Sequence, residues 1–162
     1  FNYIYKQEIF IEPKDLLTNN PKLLGIDGRK MSKSYNNSIY LSDTNLEIEN
    51  KIKSMITDPA RIKITDPGNA DICSVFYLQK IFNSSEESQI KKDCKNGKIG
   101  CVSCKKKLIE ILQKEITPIR EKRNEYLKNK DFLQDVLNEG SKKTIEIAKI
   151  NMEKIRKAMN IV

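Results

Sequence analysis

Histidine and tryptophan are missing altogether from the 162 residues. Without histidine the chain lacks the commonest general base near neutral pH and the commonest metal ligand. If it is part of an enzyme, its acid-base or phosphate-facing histidines belong to sequence outside this stretch. Aromatic residues reach only 7%. No apolar run approaches the roughly 20 residues a helix needs to span a bilayer, which argues against a membrane protein. The opening Phe1-Asn2-Tyr3-Ile4-Tyr5-Lys6 lacks the basic region, apolar stretch and small-residue cleavage site of a secretory signal, so the cytoplasm is the expected location. Only four cysteines occur, and in a reducing cytoplasm disulfides between them are disfavoured.

What the chain has in excess is positive charge, formally +8. Residues 86–130 hold 13 Lys/Arg against 7 Asp/Glu, and so carry +6 of that excess. The basic run Lys91, Lys92, Lys95, Lys98, Lys105, Lys106 and Lys107 suits a polyanionic partner such as nucleic acid, bound through phosphate contacts without base specificity. A solvated helix face is the plainer reading of the same lysines.

Along the chain, residues 1–12 mix aromatic and β-branched residues with charge and predict an edge strand. Pro13 and then Lys14-Asp15-Leu16-Leu17 predict a short helical turn, which Asn19-Asn20-Pro21 breaks. Thr44-Asn45-Leu46-Glu47 is the pattern of a capping box, and Leu46, Ile48, Ile52, Met55 and Ile56 predict the apolar stripe of the helix after it, ending at Thr57-Asp58-Pro59. Two Asp-Pro pairs make residues 57–71 a non-helical connector. A second helix is predicted over 72–83, burying Val75, Phe76, Leu78, Ile81 and Phe82, and a third, capped by Ser84 or Ser85, up to Cys94. After the Asn96-Gly97 turn comes a long helix with Leu108, Ile111, Leu112, Ile116 and Ile119 inside and Pro118 as a kink or a broken hydrogen bond. Two last helices, 132–138 and 141–159, are predicted to part at Gly140.

The chemistry concentrates in Gly25-Ile26-Asp27-Gly28-Arg29-Lys30-Met31-Ser32-Lys33-Ser34. Two glycines, three cations and two hydroxyls in ten residues suit a mobile loop that grips phosphate, because glycine lets backbone approach a ligand closely and lysine acts as a point charge for phosphate oxygens.

Lys30-Met31-Ser32-Lys33-Ser34 matches the KMSKS signature of class I aminoacyl-tRNA synthetases letter for letter. Its lead-in, Leu23 to Arg29, resembles that of bacterial tryptophanyl-tRNA synthetases. The resemblance continues through Tyr35-Asn36-Asn37-Ser38-Ile39 and Thr57-Asp58-Pro59-Ala60-Arg61 and spans nearly the whole chain. It implies a mainly α fold: residues 1–40 as the C-terminal edge of a Rossmann-type α/β catalytic domain, and residues 41–162 as a helical anticodon-binding domain. It also implies ATP-dependent activation of tryptophan, with Mg2+, and transfer to tRNA(Trp). The implied catalytic residues are Lys30 and Lys33, with Met31, Ser32 and Ser34 completing the ATP loop. Gly25 and Gly28 would let the loop open and close, and the basic run would follow the tRNA backbone. The family's HIGH signature and amino-acid pocket are expected upstream, so the piece alone is expected to be inactive; the family's dimers form through the catalytic domain. Tyrosyl-tRNA synthetases share the loop and architecture and stay open as an alternative, as does a non-catalytic RNA-binding module.

Cys73, Cys94, Cys101 and Cys104 are the remaining constellation. In a reducing compartment the choices are a metal or free thiols. Only one C-x2-C pair is present, and three clustered thiols with a distant fourth look more like an iron–sulfur ligand set than a zinc ribbon. Some bacterial tryptophanyl-tRNA synthetases carry a four-cysteine 4Fe–4S site with similar later spacings, so the resemblance implies that cluster, with Zn2+ as the alternative.

Overall fold

A computed structural model describes residues 1–161. The chain divides into two compact units: one holds residues 17–123, the other residues 1–16 together with residue 124 onward. Among the described residues six α-helices run in order, α1 (Asn2–Tyr5), α2 (Asn45–Ser54), α3 (Ser74–Phe82), α4 (Glu87–Lys95), α5 (Cys101–Lys128) and α6 (Lys130–Ala158). The mainly helical expectation holds. Among the described residues the only strand-like pairing is an isolated antiparallel bridge between Leu24 and Lys30, so no strand of an α/β domain stands in residues 1–40.

In the larger unit, α2 begins where the sequence indicated. Glu47 N–H donates to Thr44 Oγ1 at 3.2 Å and Thr44 N–H to Glu47 Oε2 at 2.7 Å, the reciprocal bonds of a capping box. Ile48 and Ile52, four residues apart and fully buried, aim one face of α2 at Val75 and Leu78 of α3 and Leu108, Ile109, Leu112 and Ile116 of α5. Burying each such side chain contributes about 1.5–3 kcal/mol. α2 stops at Ser54, before the expected Asp58-Pro59, because Met55 turns extended and Ile56 N–H leaves the helix to bond the Ile26 carbonyl at 3.1 Å. Leu46 and Ile56, expected inside, are exposed.

The far end of this core is stapled by charge. Asp43, buried, accepts from Tyr40 N–H at 2.8 Å and Lys51 Nζ at 2.6 Å. Arg120 of α5 reaches the Asp43 carbonyl and, at 2.8 Å, Asn45 Oδ1. In the connector, Asp58 accepts from Ala60 N–H at 2.9 Å and Asn69 N–H at 2.7 Å, while Asp66 takes Ile62 and Lys63 N–H at 3.1 and 2.6 Å. Each Asp of an Asp-Pro pair thus ties off its own turn. Ile109, absent from the predicted stripe, is buried, whereas Ile119 is exposed.

In the smaller unit the predicted edge strand is instead α1, held by Phe1 against Tyr5 and Phe10 with ring centroids 4.5 and 5.2 Å apart. Asn2 accepts from Ile9 and Phe10 N–H and donates to the Phe10 carbonyl, which curls residues 2–10 back on themselves. The predicted pair of terminal helices is one helix: α6 runs through Gly140, a helical glycine whose cost of about 1 kcal/mol is too small to end so long an element. α5 likewise runs on through Pro118. No described helix is long and apolar enough to cross a membrane.

Leu108→Ala, at a fully buried position, is expected to cost about 3 kcal/mol, while Ile62→Ala, at a position 89% exposed, should cost under about 0.5 kcal/mol. Urea unfolding followed by helix circular dichroism measures both.

Candidate functional site

The phosphate-loop candidate is a short hairpin in the larger unit. Gly25 N–H donates to the Arg29 carbonyl at 2.8 Å, Met31 N–H to the Leu23 carbonyl at 2.8 Å, and Gly28 N–H to the Gly25 carbonyl at 3.0 Å. Gly28 turns the tip at φ 78°, a left-handed conformation that favours glycine. After the hairpin, Lys33–Tyr35 make one 3-10 turn, ended by Asn36 at φ 49°. Ser32 and Ser34 hydroxyls bond each other at 2.9 Å.

The three cations of residues 25–34 have different fates. Arg29 is occupied: its guanidinium pairs with Asp27 at 2.7 Å and lies over the Tyr35 ring at 4.5 Å. Lys30 and Lys33 are exposed and enter no ion pair among the described residues. The two lysines that sequence assigned to phosphate are therefore the two left available for it. Asp27 is held ionised with its pKa lowered to about 2, first by a hydrogen bond from the Asn37 amide and then by Arg29, against opposing desolvation. Since the folded-state value lies below the ordinary 3.8, ionised Asp27 favours the folded hairpin at neutral pH. That contribution fades as pH falls from about 4 toward 2.

The four cysteines converge. Cys73 is the N-cap of α3, Cys94 lies in α4, and Cys101 and Cys104 open α5. All four line one cavity of about 20 Å³ together with Arg61, Thr57, Phe76 and Ile90. All are free thiols. Burial raises the Cys94 thiol and pushes Cys104 up to about 11, with the neighbouring sulfurs adding to both. Arg61 Nη1 stands 3.9 Å from Cys101 Sγ and 4.0 Å from Cys94 Sγ, and its buried Nε has no partner. Gln79, fully buried, donates to the Cys104 carbonyl at 2.8 Å and faces its sulfur at 3.8 Å. Gly68 leaves room for the site, since a Cβ there would fall 2.7 Å from Cys94 Sγ. Among the described residues no group of three or more Cys, Asp or Glu side chains is arranged to hold a metal ion.

The lysines of the basic run have different surroundings. Lys91 and Lys95 line a recess with Asp58, Asn69 and Asp71, whereas Lys105 and Lys106 line another with Glu49, Lys53 and Gln113. Lys91 is paired with Asp71 at 2.6 Å and Lys107 with Glu86 at 2.7 Å, and Lys105 donates to the Lys53 carbonyl at 2.6 Å. Lys92, Lys95, Lys98 and Lys106 are exposed and form no ion pair among the described residues.

Sequence reasoning passes over Asn37, Asp27, Arg61 and Gln79. Asn37 looks like one more polar turn residue, yet it is 1% exposed. The available signal is Gly25, whose missing side chain makes the space that Asn37 fills: a Cβ there would sit 2.5 Å from the Asn37 carboxamide.

Over 99% of its length the chain is 47% identical to a tryptophan–tRNA ligase of Aquifex aeolicus, and over all of it 43% identical to that of Thermotoga maritima. It spans 41% and 50% of those two proteins, respectively. A crystal structure of tryptophanyl-tRNA synthetase from Campylobacter jejuni, complexed with ADP and tryptophan, superposes on 98% of the chain with a TM-score of 0.78 at 29% identity, and the chain covers 50% of it. The model of the tRNA synthetases of class I for W and Y matches residues 2–117, and the chain belongs to that family.

Proposed function

We propose that this chain is the C-terminal part of a tryptophan–tRNA ligase that activates tryptophan with ATP and transfers it to tRNA(Trp). Residues 1–40 would be the edge of the catalytic domain and residues 41–162 the anticodon-binding domain, within a cytoplasmic homodimer. The observation that carries the reading is the pair of unpaired, exposed lysines, Lys30 and Lys33, on a loop whose third cation is already engaged. The names of the similar proteins favour tryptophan over tyrosine as the amino acid.

In the reaction, a tryptophan carboxylate oxygen attacks the α-phosphorus of ATP, the bond to pyrophosphate breaks, and tryptophanyl-adenylate forms. A ribose hydroxyl at the tRNA 3′ end then attacks the acyl carbon and releases AMP. Negative charge gathers on the departing pyrophosphate, and Lys30 and Lys33 Nζ would meet it there as Met31, half-buried, seats the loop. Ser32 and Ser34 exchange their mutual hydrogen bond for phosphate oxygens at little cost. Mg2+ would arrive with the nucleotide, held by its phosphate oxygens. Lys92, Lys95, Lys98 and Lys106 are the lysines best placed to meet tRNA phosphates, because no carboxylate must be displaced first.

For the cysteine cavity we infer a 4Fe–4S cluster. Four thiols facing one space, Arg61 donors on two sulfurs and an orphaned Nε–H make a site rich in donors and poor in acceptors, which fits an anionic group. A single zinc ion, the alternative, would need the four sulfurs drawn to about 2.3 Å from one point. When bound, the cluster would supply metal–thiolate bonds cross-linking α3, α4 and α5. The chain's own residues orient it: Gln79 fixes Cys104, and Arg61 balances charge at Cys94 and Cys101.

In the full-length protein, Lys33→Ala is expected to lower kcat for tryptophan-dependent ATP–pyrophosphate exchange about 10²-fold with little change in the tryptophan KM. Exchange driven by tyrosine instead of tryptophan, or a Lys33→Ala variant as fast as wild type, contradicts the reading. Anaerobic purification should yield iron and acid-labile sulfide in equal amounts with no zinc, and protein free of any metal under those conditions would remove the cluster.

A further inference from the structure

Asn37 sits directly beneath the loop, 1% exposed, and its carboxamide touches three separate points of it. Oδ1 accepts from Ser32 N–H at 2.8 Å. Nδ2 donates to Asp27 Oδ1 at 2.7 Å and to the Lys30 carbonyl at 3.2 Å. Asn37's own carbonyl accepts from Ile26 N–H at 3.0 Å. The amide's orientation is fixed by these partners, since its oxygen faces an N–H and its nitrogen faces a carbonyl and a carboxylate. One side chain therefore bonds the tip of the hairpin, the backbone of the first lysine and the residue preceding the second.

We propose that Asn37 is the positioning residue of the phosphate loop, a clasp that sets where the Lys30 and Lys33 ammonium groups stand before nucleotide arrives. The assignment rests on the reading of residues 30–34 as an ATP loop. Asn37 touches no substrate and acts through the backbone at Lys30 and Ser32 and through Asp27. Its bond to Asp27 also aims that carboxylate, whose other oxygen holds Arg29, so the same clasp keeps the third cation out of the site. Gly25 is the clasp's seat. Any side chain there would strike the Asn37 carboxamide at 2.5 Å and its backbone carbonyl oxygen at 2.6 Å, so Gly25→Ala should dislodge Asn37 without removing any hydrogen-bonding group.

Three variants of the full-length protein separate this from a merely structural role. Asn37→Ala removes all three side-chain bonds. Asn37→Asp keeps the shape and the bond from Ser32 N–H but sets a carboxylate oxygen against Asp27 and the Lys30 carbonyl. Asn37→Asp combined with Asp27→Asn restores the donor–acceptor match between positions 27 and 37, but not the bond to the Lys30 carbonyl or the one from Arg29 N–H. The measurement is amide hydrogen exchange of residues 30–34 with and without ATP, alongside the ATP KM and kcat of pyrophosphate exchange. Exchange in the loop should quicken about tenfold in Asn37→Ala, Asn37→Asp and Gly25→Ala, a factor corresponding to about 1.4 kcal/mol. The ATP KM should rise in step, α2 and α5 should keep wild-type exchange, and the double variant should recover part of the loss seen in Asn37→Asp. If ATP slows exchange in the wild-type loop but these variants match wild type in loop exchange and ATP KM, the clasp is overturned. It is equally overturned if α2 and α5 loosen as much as the loop does. If ATP fails to slow exchange in the wild-type loop, the ATP-loop reading falls first, and the clasp's role toward nucleotide falls with it.

Discussion

A buried carboxamide beneath a hairpin tip is the contact on which the site depends. Asn37 is surrounded by the backbone of the very residues it organises, and it fits only because position 25 carries no side chain. Its bond to Asp27 turns that carboxylate toward Arg29, and the stacking of Arg29 on Tyr35 closes the far side. The outcome is a sorting of charge: one cation is consumed inside the loop and two face solvent. A flexible lysine-rich loop would offer all three to phosphate and lose more conformational entropy on binding.

The hairpin is also tied to the helical core. Ile26 packs against the cluster of Ile48, Ile52 and Leu108, and its carbonyl draws Ile56 N–H out of α2. From there the chain enters the connector, where Asp58 ties residues 58–69 and Arg61 reaches Cys94 and Cys101. Gly97, at φ 66°, locks the other side of that connector, because a Cβ there would meet the Thr65 carbonyl oxygen at 2.2 Å. A continuous path of short bonds and close packing thus runs through one unit from the hairpin to the cysteine cavity.

Much of this is legible in the sequence, for reasons that differ by residue. The capping box at Thr44 and Glu47 and the Ile48–Ile52 spacing are local signals, and local hydrogen bonding and periodicity decide them. The convergence of Cys73, Cys94, Cys101 and Cys104 is suggested by spacing and appears as a shared cavity, though spacing could not show that Arg61 and Gln79 complete its surroundings. The early end of α2 is hidden because a tertiary bond to Ile26 decides it. Gly140 misleads for the opposite reason: glycine is a common stop signal, but nothing downstream competes for the chain and the helix continues. Counting the lysines of the basic run in the sequence does not show the carboxylates opposite Lys91 and Lys107. Asn37 escapes notice in the sequence since its importance lies in what surrounds it.

The most direct test of the charge-sorting account is a crystal structure of the full-length protein with ATP bound. The account predicts Lys30 and Lys33 Nζ on the β- and γ-phosphate oxygens, with Arg29 still paired to Asp27 and Asn37 still bridging Ser32 and Lys30. Phosphates held by Arg29 after it has left Asp27, with Lys30 and Lys33 turned to solvent, would contradict it.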